Sequence, residues 1–452
     1  MRHQGPRKIA IVLVPFLVAG MLVVLGGSSA TSAKPKHPKP PKYTPAAGAT
    51  FNNPYGGTAA RRAIIRKLVK TIDSVPRGEE IRIASWNVRS PNIATSLLRA
   101  KKRRVSVQIV MDRSNWREDN PNPDAARLYR ELKKGNGHRK LERRSWLRQC
   151  RGACRGPHGI AHTKFFLFSK AGEAENVVIY GSNNATELAA DIQWNDVYTR
   201  INHPDEYAEF LSVFNEMVVD HKPAGGGYRL WAHGPFTSVF YPYAGQAAPK
   251  TDPVMDVLDK IRCKGATGRG SHGRTKMRIA QTAMYGDRGI AIAHRLAQMH
   301  RRGCDIRIVY AMFGNEVLRI LRHEAGRGGI PLTHLAWDRN EDGIYDRYVH
   351  MKTLAVRGVY DGDTDATLTI NGSANWTPVS LASDEVIGVL TQPKPNRTYM
   401  KWIDFLFTHR PTSWGRERIG VASGVDDAVE GGMERRVGST APDPYALIKK
   451  EL

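Results

Sequence analysis

Residues 160–168 read Ile160-Ala161-His162-Thr163-Lys164-Phe165-Phe166-Leu167-Phe168, and residues 348–356 read Tyr348-Val349-His350-Met351-Lys352-Thr353-Leu354-Ala355-Val356. Both are apolar, strand-like runs interrupted by a His and a Lys two positions apart. Side chains at i and i+2 leave a strand on the same face. His162 with Lys164, and His350 with Lys352, therefore project as pairs from two separate strands. A second strand-like run follows each pair and ends in small residues. Val177–Tyr180 leads into Gly181-Ser182-Asn183-Asn184, and Thr367–Ile370 leads into Asn371-Gly372-Ser373-Ala374-Asn375. The His-to-Gly separations are 19 and 22 residues. A third matched pair lies beyond: Asn195-Asp196-Val197 and Asp384-Glu385-Val386, 189 positions apart.

The correspondence extends outward from these motifs. Residues 81–86 match 277–282 as short apolar strands, and 105–111 match 305–310. Helical spacing precedes the first strand of each half: Ile64, Ile65, Leu68 and Ile72 in one, Val254, Val257, Leu258 and Ile261 in the other. Asp252-Pro253 predicts a helix start, a capping residue followed by proline at the first position. A sustained offset near 190–200 residues means two homologous halves, not a short solenoid repeat. Alternating strands and helices predict an α/β fold. Each half is expected to be a mixed β-sheet flanked by helices, with one site at the pseudo-two-fold interface. The expected boundaries are 44–225 for the first lobe and 226–410 for the second, with a polar C-terminal tail at 411–452.

Paired imidazoles and ammonium groups suit phosphate chemistry. Imidazole acts as nucleophile or proton carrier near neutrality, and lysine neutralises phosphoryl oxygens. Gly181 and Gly372 would let backbone approach a ligand, while Ser182, Ser373, Asn184 and Asn375 offer hydrogen bonds. A carboxylate such as Asp196 or Glu385 would hold each imidazole in one tautomer.

With these motifs quoted, the chain resembles the phospholipase D superfamily, whose signature is His-x-Lys followed by Gly-Ser-x-Asn, here present twice. The resemblance covers most of residues 50–410. It implies a phosphodiesterase that works through a phosphohistidine intermediate with no cofactor and no metal. Carried over, His162 would be the nucleophile and His350 the general acid. Lys164, Lys352, Asn184 and Asn375 would bind the phosphoryl group, with Ser182 and Ser373 beside them. The usual motif has an acid five positions after Lys; here Ser169 and Arg357 stand there. The implied partner is a phospholipid or another phosphodiester, and the joined lobes imply a monomer. A metal-independent nuclease and a non-catalytic envelope protein binding anionic polymers are the alternatives.

Composition frames this reading. The 452 residues carry 68 Lys+Arg against 43 Asp+Glu, a formal charge of +25, and 41% are hydrophobic. That apolar share excludes a disordered chain, and the charge predicts attraction to polyanions, either an anionic membrane surface or nucleic acid. Residues 127–155 alone hold eleven Lys/Arg, with Tyr129 and Trp146 among them. Arg2, Arg7 and Lys8 precede an uncharged run from Ile9 to Leu25 and then small residues, the layout of a signal peptide ending near residue 33. A secreted protein is expected, with an uncleaved anchor as the competing reading. Residues 34–43 form a Pro/Lys-rich linker. Four cysteines in an exported chain suggest two disulfides, with Cys150–Cys154 and Cys263–Cys304 favoured among three pairings. Asp338–Gly343 resembles the start of a calcium loop, but Val349 takes the place of its closing Glu, so a tight turn is the favoured reading. Trp194 and Trp376 stand near the motifs as groove or core residues.

Overall fold

The computed structural model describes residues 43–243, 252–338 and 345–411. The expected signal peptide, nearly all of the linker, the turn after Asp338 and the tail from residue 412 lie outside the described residues. Among those described, no helix is long and apolar enough to cross a membrane.

Two mixed sheets carry the fold. The first runs Gly48–Phe51, Asp196–Arg200, Ala174–Gly181, Lys164–Ala171, Glu80–Ser85, Ser106–Asp112, Trp146–Cys150. The second repeats that order as Phe236–Tyr241, Glu385–Leu390, Asp363–Gly372, Lys352–Tyr360, Lys276–Met284, Asp305–Phe313, Leu332–His334. It adds Arg229–His233 at one edge and Ile261–Arg262 beside Lys352–Tyr360. In both, the last three strands are parallel and their neighbours antiparallel. Parallel neighbours need a crossover, and the helices Pro91–Lys102 and Gly286–Arg301 supply the first crossover of each sheet. The helix starting at Pro253 is capped as predicted: Val254 N–H donates to Asp252 Oδ1 at 2.8 Å.

Alternation along the strands sets the layers. Phe166, Phe168, Val177 and Ile179 face outward to Ile64, Leu68, Leu97 and Leu128 of the outer helices. Their neighbours Phe165, Leu167, Val178 and Tyr180 face inward, into a central cluster shared with Ala280, Val309, Ala355 and Val386 of the second sheet. Helices Pro204–Val219 and Pro393–Thr408 contribute Phe210, Phe214, Tyr399 and Ile403 to that cluster. Two sheets thus share one middle layer of helices, and a further helical layer covers each outer face. Tyr180 crosses the centre, donating to Asn371 Oδ1 at 3.0 Å. A Cβ on Gly388 would stand 1.8 Å from its hydroxyl, so the closeness of the two lobes depends on glycine there.

Backbone pairing also stitches the lobes together near the motifs. Tyr348–Val349 runs parallel to Gln193–Trp194, and Ala161 bridges Asp384 in the mirrored position. His350 N–H donates to Trp194 O at 2.9 Å, and Asp384 N–H to Ile160 O at 3.0 Å. Both favoured disulfides are present. Cys150–Cys154 closes the turn after an edge strand and presents the Cys154 N–H to Asp384 Oδ2 of the other lobe.

Candidate active site

His162 and His350 each stand immediately before a central strand that begins with its lysine, Lys164–Ala171 or Lys352–Tyr360. Both imidazoles and both lysines are buried. Each ammonium donates to the carbonyl of its own histidine: Lys164 to His162 O, and Lys352 to His350 O at 2.7 Å. The charges of both lysines act on both imidazoles, which places the four groups in one site.

Each imidazole is held from the opposite lobe. His162 Nδ1 lies 2.8 and 3.0 Å from the two carboxylate oxygens of Glu385. His350 Nδ1 lies 2.9 Å from Asn195 Oδ1. The Asn195 amide is fixed in this orientation because its Nδ2 donates to Ala189 O and Gln193 Oε1, at 3.2 and 3.1 Å. A carboxylate and an amide carbonyl are both acceptors. Both rings therefore carry hydrogen on Nδ1, which leaves Nε2 of each as the nitrogen with the free lone pair.

Asp196 does not take the role that sequence reasoning assigns it. It accepts from Tyr399 at 2.7 Å, Asn371 at 2.9 Å and Ser182 at 2.9 Å, and makes no contact with His350. The aligned pairs Asn195-Asp196 and Asp384-Glu385 are used asymmetrically. Glu385, the longer acid, reaches the histidine from the second position of its pair, and Asn195 does so from the first. Ser182 and Ser373 adjoin these holders: the one Ser182 hydroxyl hydrogen is shared between Asp196 Oδ1 at 2.9 Å and Asn195 Oδ1 at 3.0 Å, and Ser373 donates to Glu385 Oε2.

The glycines also differ from expectation. A Cβ on Gly181 would meet Asp196 O at 2.3 Å, and one on Gly372 would meet Val386 O at 2.1 Å. Both admit the backbone of the next strand, not a ligand. Asn184 and Asn375 are buried with side-chain oxygens that lack a hydrogen-bond partner, a costly state unless something else completes the site. Gln281 and Thr353, beside Lys352, likewise have unpartnered side-chain oxygens. Trp194 and Trp376 are core residues: Trp194 stacks on Tyr55, and Trp376 sits in the second lobe's cluster. Trp86 packs edge-on to His162 with centroids 6.1 Å apart, and Tyr348 edge-on to His350 at 5.8 Å.

Burial sets the protonation states. His162 is pushed down to about 4, because loss of hydration outweighs the opposing pull of Glu385. His350 falls well below its ordinary value through burial and the nearby lysines, with no carboxylate to offset them. Burial and Lys164 also lower Lys352. With two lysines acting on both imidazoles, the site is suited to an anion that offsets their charge. Ser169 and Arg357 stand five residues along their strands from the lysines, about 17 Å away at 3.3 Å per residue. There Ser169 donates to Glu79 at 2.7 Å and accepts from Glu80 N–H at 2.8 Å. The replaced acid therefore lies far from the imidazoles.

Two like-ordered sheets with a composite His–Lys site between them define a duplicated α/β fold. A family model described as cardiolipin synthase, PLD-like domain, matches residues 68–218. Phosphatidylserine synthase of Haemophilus influenzae has a similar fold over 77% of this chain and 85% of its own, at 11% identity and TM-score 0.52. Polyphosphate kinase of Porphyromonas gingivalis aligns over 80% of this chain at 13% identity and TM-score 0.50, and this chain spans half the kinase's length. Nuc of Salmonella typhimurium, a phospholipase D family member, aligns over 39% of this chain and 95% of its own at 23% identity and TM-score 0.28. No curated protein sequence matches the chain. The likeness to a PLD-like domain therefore rests on residues 68–218, about a third of the chain, and the solved structures extend the likeness of fold to most of it.

Proposed function

We propose that this is an exported phosphodiesterase that hydrolyses phospholipid head groups through His162. The observation that carries the reading is the cross-lobe pairing of one imidazole with a carboxylate and of the other with a neutral amide. Glu385 supports positive charge on His162, which suits the histidine that becomes N-phosphorylated. His350 has a neutral holder and suits proton transfer. A phosphodiester anion between Lys164 and Lys352 supplies the negative charge that lets His350 take up a proton.

The His162 Nε2 lone pair attacks phosphorus, and the bond to the leaving oxygen breaks as His350 Nε2–H delivers its proton there. The product is an alcohol and a phosphohistidine whose ring charge faces Glu385. Water then attacks phosphorus and gives a proton to His350, and the P–N bond breaks to restore His162. The donors of Asn184 and Asn375 steady the phosphoryl oxygens in both steps. The leader at residues 1–33 supports export.

Phosphatidylcholine and plasmid DNA offered to the mature protein in EDTA test the reading. Choline release is expected; nicked DNA without choline release would replace it with a nuclease. The His350→Ala variant should accumulate phosphate on His162, and a label on any other residue would overturn the assignment.

A further inference from the structure

The eleven basic residues of 127–155 are not one surface. Arg155 is fully buried, donating to Tyr241 O at 3.0 Å and pairing with Glu216 at 2.8 Å. Arg139 donates to Val105 O at 3.1 Å, Arg143 pairs with Glu80, and Lys134 with Glu131. Lys133, Arg144 and Arg148 form no ion pair among the described residues. These three line one groove of about 570 Å³ along the edge strand Trp146–Cys150.

The same groove holds Trp116, Tyr129 and Trp146, and Asp220 is the single acid among its lining residues. Lys133 Nζ sits 3.4 Å above the Tyr129 ring, and the Arg148 guanidinium 4.6 Å from the Trp146 ring. One face of each ring is thus covered by a cation, and Trp146 also stacks on Phe214. Base stacking, the main source of single-strand nucleic-acid binding, needs open faces. Two exposed aliphatic side chains stand beside the groove. Val219, 70% exposed, lies between the lining residues Val218 and Asp220, and Leu141, 72% exposed, lies three residues before Arg144. Unpaired cations, interfacial Trp and Tyr, and protruding aliphatic side chains are what an anionic lipid surface recognises.

The geometry points to this groove and its aliphatic rim as the face by which the protein docks on an anionic bilayer. The inference deepens the lipid reading of the active site and rests on it. It also places lipid near the chemistry: Trp116 adjoins Asn115, whose amide donates to Trp86 O at 3.0 Å, and Trp86 packs on His162.

The test is co-sedimentation of the full mature chain with phosphatidylcholine vesicles containing about one-third phosphatidylglycerol. Wild type should partition onto these and not onto pure phosphatidylcholine, and about 0.5 M salt should release it. The exposed double variant Lys133→Gln/Arg148→Gln should partition about 25-fold less, at about fivefold per cation. Val219→Asp should weaken binding with the charges intact. Hydrolysis of a soluble, monomeric phosphodiester should be unchanged in all of these variants. Equal partitioning of wild type and the double variant overturns the inference, and so does a double variant that loses single-stranded DNA binding while keeping vesicle binding. Charge-dependent docking without any hydrolysis would leave the docking face standing and remove the catalytic reading.

Discussion

Replacing Glu385 by Gln tests the central electrostatic claim. The side chain keeps its length and an acceptor oxygen for His162 Nδ1–H, and loses only the negative charge. The carboxylate oxygens lie 2.8 and 3.0 Å from Nδ1. That sets the charge centres about 4 Å apart, where unit charges attract by about 4 kcal/mol at an effective dielectric near 20. Part of this returns through the neutral hydrogen bond that remains, about 1 kcal/mol. The net loss of about 3 kcal/mol acts where the ring becomes cationic, so kcat should fall about 10²-fold. KM should change little, because the free ring is neutral above pH 4. Steady-state hydrolysis of a soluble chromogenic phosphodiester across pH gives both quantities. The acid limb of kcat/KM, which reports free His162, should also move below its wild-type position near 4. A Gln variant within about threefold of wild-type kcat, with an unmoved acid limb, would refute the role of Glu385.

Gly388→Ala would drive a methyl group to within 1.8 Å of the Tyr180 hydroxyl; overpacking of this kind costs about 3 kcal/mol, visible as a lower thermal midpoint, and an unchanged midpoint would contradict the packing described. Ser169→Ala should leave kcat/KM within about twofold, given the roughly 17 Å between that position and Lys164; a large drop would give the position a catalytic influence. Asp384 is raised from its ordinary 3.8 to about 7 by burial, so the native chain holds a proton there that the unfolded chain has released. The contribution of Asp384 therefore declines as pH rises from about 4 to 7. The midpoint of Asp384→Asn minus that of wild type should increase from pH 5 to pH 8, and a flat difference would show that Asp384 titrates normally.

The duplicated fold is legible in the sequence because strand order follows from motifs that recur in the same order. His-x-Lys, the small-residue turn and the acidic pair each mark a strand, and the two sheets have the same order because those strands do. What the sequence conceals is contact across strands and across lobes. Gly181 and Gly372 look like ligand-facing glycines until Asp196 O and Val386 O are seen 2.3 and 2.1 Å from where their Cβ atoms would be. The run from Arg127 to Arg155 reads as one basic stripe, yet burial by Tyr241 and Glu216 makes Arg155 part of the interior. Asn195 is hidden by the acidic alignment that draws attention to Asp196.

That last difference bears on how two like halves make one directional site. If both lobes used the same holder, the two imidazoles would have equal claims to attack and to proton transfer. The structure removes the equivalence with one charge. Asp196 is tied to Tyr399, Asn371 and Ser182 and is kept from His350, so the neutral Asn195 is the acceptor there. Glu385 has no such competing tyrosine or amide and faces His162 with both oxygens. Because each holder comes from the other lobe, neither half contains a complete imidazole–holder pair. In the proposed mechanism the direction of the chemistry is therefore a property of the interface. A substitution in one lobe, such as Asn195→Asp, should act on the histidine of the other: a carboxylate there raises the proton affinity of His350 and makes the two imidazoles more alike.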